Sequence, residues 1–289
     1  MNQRCVHVHG TPLNSLILCV ALIGIFQSHE VNGAERPNIL FVFADDWGRY
    51  ASAYGAAEPH GLNAIVKTPN FDRVVDDFVS LPDLAPTLLE AGGVTVPDVM
   101  TARSLMPVLR ATGHGQIDAT RDHVVIGRER HVANARTDFL PYPQRAIRTA
   151  EFLYVRNFKP DRWPMGMAPG FGLPEGPMPS AKALDASTFA AFGDMDASPT
   201  KTWLLTDGLS DPRYRRFIDI HFALRPEEEL YDLRHDLDQI HNVASEPEFA
   251  PARKELSDRL LTILKDSNDP RVTGDGATFD CPPYSDPAK

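Results

Sequence analysis

"RAIRTAEFLYVRNF", Arg145 to Phe158, reads as two short strands folded back on one another. Thr149, Ala150 and Glu151 interrupt the apolar pattern, and beyond them Phe152, Tyr154 and Arg156 recur with the period of two that an extended chain imposes on its side chains. An antiparallel pair is expected around Thr149 to Glu151. Upstream, "DHVVIGRERH" (Asp122 to His131) supplies another apolar strand, Val124 to Ile126, which ends in the charged cluster Glu129, Arg130 and His131. Downstream, "EEELYDL" (Glu227 to Leu233) is a further strand, and "PARKELSDRLLTILKD" places Leu256, Leu260, Ile263 and Leu264 on one helical face. Between them, "SPTKTWLL" starts a helix, with Ser198 as cap and Pro199 at the first position. The Gly-, Pro-, Met- and Ala-rich segment Pro164 to Pro179 is expected to be loop that buries no regular core, and the turn-rich tail beyond Asn268 is expected to be loose.

The N-terminal half has a different character. "NILFVFA" (Asn38 to Ala44) is a continuous apolar run of β-favouring residues, as in a parallel strand covered on both faces. It stops at Asp45 and Asp46. Ligands of such sheets collect at the carboxyl ends of the strands, and adjacent carboxylates repel unless a cation or donors offset them. The pair therefore reads as a candidate metal site, with helix capping as the alternative. "TPNFDRV" begins a helix with Thr68 as cap and Pro69 in its first turn, and "DLAPTLLEA" is a helix opened by Asp83 and closed by Gly92 and Gly93. Together these signals give an α/β fold: a parallel sheet with helices on both faces, followed by a smaller C-terminal α+β part with an antiparallel sheet. The boundary falls near Gly113 to Ala119, separating 34–118 from 119–289.

The 289 residues carry a net charge of -10, which offers no basic footprint for nucleic acid. Residues 1–33 read as an export signal: Arg4 in a positive head, the apolar "LILCVALIGIF" (Leu16 to Phe26), and small residues before Ala34. The apolar run is shorter than the roughly 20 residues of a spanning helix. A secreted or periplasmic protein with no membrane association after cleavage is the expectation. Cleavage would leave Cys281 as the one thiol, so no intrachain disulfide forms. His60, His114, His123, His221, His235 and His241 show no ligand-like spacing.

Several long motifs in order carry a resemblance. "RPNILFVFADDWGRYASAYG", "KTPNFDRV", "DDFVSLPDLAPTLLEAGG", "GRERHVANARTDFLPYPQRAIRTAEFLYVRNF" and "ELYDLRHDLDQIHNVA" resemble the sulfatase family of the alkaline-phosphatase-like superfamily. "GRERH" and "YPQRAIRT" are most similar to its heparan N-sulfatase (sulfamidase) branch. The resemblance implies hydrolysis of sulfuric esters or sulfamates on sulfated glycans, through a formylglycine made from the Cys or Ser of a Cys-x-Pro-x-Arg-like motif and a calcium ion that holds the sulfate. It implies Asp45 and Asp46 as two calcium ligands. Glu129, Arg130 and His131 become substrate-binding candidates, with a solvated strand exit as the alternative. Tyr142 and Arg145 are weaker candidates, and Tyr142 suits packing better.

The chain departs from that pattern. No Cys-x-Pro-x-Arg or Ser-x-Pro-x-Arg segment is present, and "TPNFDRV" nearly adjoins "DDFVSL" at Val74 to Asp76, where the nucleophile and the second metal pair belong. "TDG" (Thr206 to Gly208) is similar to that second metal motif but sits in the C-terminal part, so the role is not carried over. An internal deletion near 74–77, an absent formylglycine, an incomplete calcium site and no turnover are therefore expected. A non-catalytic binder of sulfated glycans and a non-functional fragment are the alternatives.

Overall fold

The computed structural model describes residues 76–172 and 176–280, together with Ile65 and Lys67. The expected signal segment, the "NILFVFA" strand, the Thr68 helix, Asp45, Asp46 and Cys281 lie outside the described residues.

Helices α1 (Leu84–Ala91) and α2 (Met106–Arg110) come first. Strands β1 (His123–Arg128), β2 (Gln144–Thr149) and β3 (Phe152–Asn157) follow. Helices α3 (Ala181–Ala186), α4 (Pro199–Leu205), α5 (Asp207–Ser210) and α6 (Arg215–Phe222) then precede strand β4 (Glu228–Asp232), and α7 (Ala250–Asp266) and α8 (Pro270–Thr273) close the order. The strands form one sheet in the order β1-β2-β3-β4. Every pairing is antiparallel, with Val125 opposite Ile147, Ile147 opposite Tyr154 and Tyr154 opposite Leu230. The hairpin turns where expected, and Thr149 Oγ1 closes it by accepting from the Phe152 N–H at 3.1 Å. Among the described residues the sheet is wholly antiparallel, and the strand expected to belong to a parallel sheet is the undescribed one.

Helix α7 lies on one face of this sheet. Leu256, Leu260 and Leu264 are buried against Ile147, Tyr154, Leu230 and Ala244, with Ile263 at the margin. No side chain caps the α7 N-terminus at Phe249. Its stability therefore rests on docking, at about 1.5–3 kcal/mol for each fully buried leucine.

A second core joins Ala168, Leu184, Ala191, Phe192, Leu205, Ile218 and Phe222. Phe192 is its hub, with its ring 5.8 Å from Trp163, 5.4 Å from Phe171 and 4.6 Å from Phe222. The segment Pro164 to Pro179 is irregular, as expected, yet it buries Ala168 completely. It can do so because its backbone is paired: Met167 N–H donates to Ala135 O at 2.7 Å, Phe192 N–H to Met167 O at 2.6 Å, and Asp194 N–H to Met165 O at 3.0 Å. Gly166 (φ +103) sits where a Cβ would come within 2.7 Å of Gly193 N and 2.8 Å of Ala135 O. The fully buried Lys201 ammonium stitches the same region, donating to the carbonyls of Thr188, Phe192 and Met195 at 3.1, 3.2 and 2.6 Å.

Residues 76–121 are tied by polar contacts. Asp77 accepts from the N–H groups of Ile117 and Asp118 at 2.8 and 2.6 Å. Asp83 makes no side-chain cap bond to α1, contrary to its expected role. Its carboxylate instead accepts from Ser80 N–H, Arg103 N–H and the Arg121 guanidinium at 3.1, 3.0 and 2.8 Å. A carboxylate that accepts three donors gains more from bridging two loops than from capping one turn. No helix among the described residues is long and apolar enough to cross a membrane.

Candidate functional site

The charged exit of β1 is built by local geometry. Gly127 faces Arg145 across the sheet, and a Cβ on Gly127 would lie 3.1 Å from Arg145 Cδ. The missing side chain lets Arg145 cross the strand and reach Glu129, whose backbone carbonyl accepts from Tyr142 N–H at 2.6 Å.

From there a network of ion pairs spreads. Glu129 Oε1 accepts from Arg145 Nη2 at 2.7 Å and its Oε2 from Arg271 Nη2 at 2.6 Å. Asp269 Oδ2 accepts from Arg145 Nε at 2.6 Å, while Oδ1 caps α8 by accepting from Arg271 N–H at 2.8 Å. Asp280 spans two arginines, with Oδ1 on Arg271 Nη2 at 2.9 Å and Oδ2 on Arg162 Nη2 at 2.7 Å. Arg130 donates to Phe279 O, and Arg271 Nη1 to Gly276 O. The segment beyond Asn268, expected to be loose, is thus held down as far as Asp280. Charged groups removed from water must be paired, and each of these arginines finds a carboxylate or a carbonyl in this tail.

The network sets the ionisation of its members. Burial disfavours the charged Arg145, but hydrogen bonds to Asp269 and Glu129 outweigh it and leave the guanidinium above its ordinary value. Burial likewise works against ionised Asp280, yet Arg162 and Arg271 hold it below the usual carboxylate range.

A second cluster adjoins it. The buried Asp194 pairs with Arg136 at 2.5 Å, with Arg128 further off at 3.9 Å, and its Oδ1 accepts from Val132 N–H at 3.2 Å. Both guanidinium groups lie 5.8 Å from the Tyr142 ring. Tyr142 is buried and packs between elements, and burial, then the nearby Glu229, pushes its hydroxyl above the ordinary tyrosine range.

The structure places the three substrate-binding candidates in a row at this exit, in three environments. Glu129 is committed to Arg145 and Arg271, Arg130 is turned toward Phe279, and His131 is exposed to solvent. Arg271, Asp269, Asp280, Arg162 and Asp194 were not singled out from the sequence. Their partners are up to 142 residues away, so no local spacing reveals them. An open cleft of about 450 Å³ lies between β1 and residues 78–121, but its carboxylate Asp83 is already paired with Arg121, and the other guanidinium that lines it, Arg103, with Asp118.

The calcium ligands that the resemblance implies, Asp45 and Asp46, are not among the described residues. Calcium takes six to eight oxygens. Asp45 and Asp46, outside the described residues, have four carboxylate oxygens between them. Among the described residues no group of three or more His, Cys, Asp or Glu side chains could hold a metal.

The chain is 27% identical over 255 residues to an ulvan-active sulfatase of Formosa agariphila, covering 84% of this chain and 36% of that protein. It is 26% identical over 228 residues to the N-sulphoglucosamine sulphohydrolase of Homo sapiens, covering 75% of this chain and 38% of that one. It thus spans little more than a third of the length of these curated relatives. A solved structure of a protein in complex with its substrate D-glucosamine-2-N,6-O-disulfate matches 67% of this chain and 25% of its own, with a TM-score of 0.38 and 20% identity. No family model matches the chain.

Proposed function

Since this chain belongs to the sulfatase family, we propose that it is a non-hydrolysing member that holds sulfated glycans at the arginine-rich exit of β1. The observation that carries the reading is a contrast within one chain. The 289 residues contain no Cys-x-Pro-x-Arg or Ser-x-Pro-x-Arg segment to supply a formylglycine, while Arg128, Arg130, Arg145, Arg162 and Arg271 all gather around one strand exit beside the exposed His131. Without a covalent nucleophile the step that divides the hydrolysis into two easier ones is lost. Guanidinium forks, by contrast, suit sulfate oxygens as they suit phosphate and need no nucleophile. The named relatives act on ulvan and N-sulphoglucosamine by their descriptions, which motivates glycan as the ligand class. The heparan N-sulfatase branch, an internal deletion near 74–77, and a half calcium site at Asp45 and Asp46 belong to the same proposal.

The purified chain should be retained on immobilised heparin at low salt and elute as salt rises, and should release no sulfate from N-sulfated glucosamine. Absence of retention at low salt overturns the binding half. Sulfate release that an Asp45→Ala variant lacks overturns the other.

A second reading, that the chain is a fragment with no independent role, has its own support. Leu81, Val99 and Ile126 are 70%, 84% and 53% exposed, apolar side chains of the kind bared when neighbouring elements are missing. A broad, non-cooperative thermal transition would favour it, and a sharp one would show that the two cores close on their own.

A further inference from the structure

We propose that the gap between Arg162 and Arg271 is a binding site for a single sulfate or carboxylate group, whose resting occupant is the chain's own Asp280. The inference rests on the glycan-binding reading and names the subsite and its built-in competitor.

Three observations carry it. First, Asp280 meets the two guanidinium groups with one oxygen each, at 2.9 and 2.7 Å, so that a single anion bridges two arginines drawn from different parts of the chain. A sulfate monoester presents the same charge and the same pair of oxygens to such a fork. Second, Asp280 is the carboxylate that pairs with Arg162, while Arg145 and Arg271 have other carboxylates as well. Arg145, Arg162 and Arg271 balance Glu129, Asp269 and Asp280, and Glu129 with Asp269 already engages Arg145 and Arg271. Lifting Asp280 would leave Arg162 as the uncompensated cation, 16% exposed and therefore open to a solvent-borne anion. Third, the segment that carries Asp280 touches the candidate row: Phe279 O takes the Arg130 guanidinium and the Phe279 ring sits 5.6 Å from Arg271. Asp280 therefore occupies two arginines of this network, and a glycan sulfate engages them by displacing it.

The segment is suited to displacement. It is one short turn, Thr278–Asp280, with no buried side chain of its own, joined to α8 through Gly274 and Gly276. The contacts of Asp280 with Arg162 and Arg271 are polar ones that an incoming anion can replace.

The test compares the wild-type chain with Asp280→Asn and Arg162→Gln, using a heparin-derived octasaccharide and its desulfated counterpart as probes in calorimetric titration. Removing the internal competitor should raise octasaccharide affinity about tenfold, as expected when a binding-competent state is freed from an occupying one. Arg162→Gln should weaken binding in the same protein background, and the desulfated probe should show neither effect. Because Asp280→Asn could loosen the fold, hydrogen exchange is read on the wild type as well: the octasaccharide should speed exchange at residues 276–280 while α7 stays protected. Equal affinity of wild type and Asp280→Asn, or unchanged exchange at 276–280 in the presence of bound probe, overturns the site. Failure of every variant to bind the octasaccharide overturns the glycan reading itself, and the site with it.

Discussion

Arg271 and Glu129 stand 142 residues apart in the sequence and meet at 2.6 Å. Arg271 is 1% and Glu129 18% exposed, so the pair is a buried link between the start of α8 and the exit of β1. Removing Arg271 leaves one oxygen of Glu129 and one of Asp280 without their guanidinium partner in a largely buried setting. Arg271→Met is expected to cost about 3–5 kcal/mol in urea-induced unfolding. A loss under about 1 kcal/mol would mean that the network tolerates a gap and does not hold the tail.

Asp83 and Arg121 make the corresponding link in residues 76–121. Burial works to raise the Asp83 pKa, but the N–H groups of Ser80 and Arg103 and the Arg121 guanidinium outweigh it and hold the carboxyl below its ordinary value. A depressed carboxylate contributes stability that is present above its unfolded pKa and disappears as pH falls through the folded one. The gap in denaturation midpoint between wild type and Asp83→Asn should therefore be constant above about pH 5 and shrink on acidification below about pH 4. A gap that widened toward acid would reverse the assigned sign.

The docking of α7 is a matter of shape. Leu260 is fully buried against the sheet, so Leu260→Ala removes transfer energy and leaves a cavity, for an expected loss of about 2–5 kcal/mol. The exposed neighbour Glu255 offers the control: Glu255→Ala should stay within about 0.5 kcal/mol. Similar losses for both would show that α7 does not present its leucine face to the sheet.

Gly166 stands where three irregular strands of chain approach closely. Gly166→Ala would drive a methyl group against Gly193 N and Ala135 O at a φ of +103 that other residues avoid. Unfolding should become easier by more than about 1 kcal/mol. Gly113→Ala, with its nearest neighbour the Ile117 side chain at 3.4 Å, should cost much less.

The elements that were legible in the sequence are those whose cause is local. The hairpin at Thr149 to Glu151 follows from period-two alternation, the leucine face of α7 from period 3.6, and the start of α4 from Ser198, which does accept from Lys201 N–H. What stayed hidden depends on partners far along the chain. Nothing near Asp269 or Asp280 announces that Arg145 and Arg162 will claim them, so the tail reads as loose. Likewise, the Gly- and Pro-rich run around Ala168 looks unable to enter a core, because its backbone partners at Ala135 and Phe192 are invisible to composition. At the candidate site, the row Glu129, Arg130 and His131 was legible as a charged strand exit. The commitment of Glu129 to two arginines was not.

Native mass spectrometry reads binding and the absence of hydrolysis at once. The purified chain is incubated for hours with a heparin-derived octasaccharide of defined sulfation, and the complex and the released ligand are weighed. The expected result is a one-to-one complex whose ligand keeps every sulfate. A ligand that has lost sulfate, or the absence of any complex at low ionic strength, would contradict it.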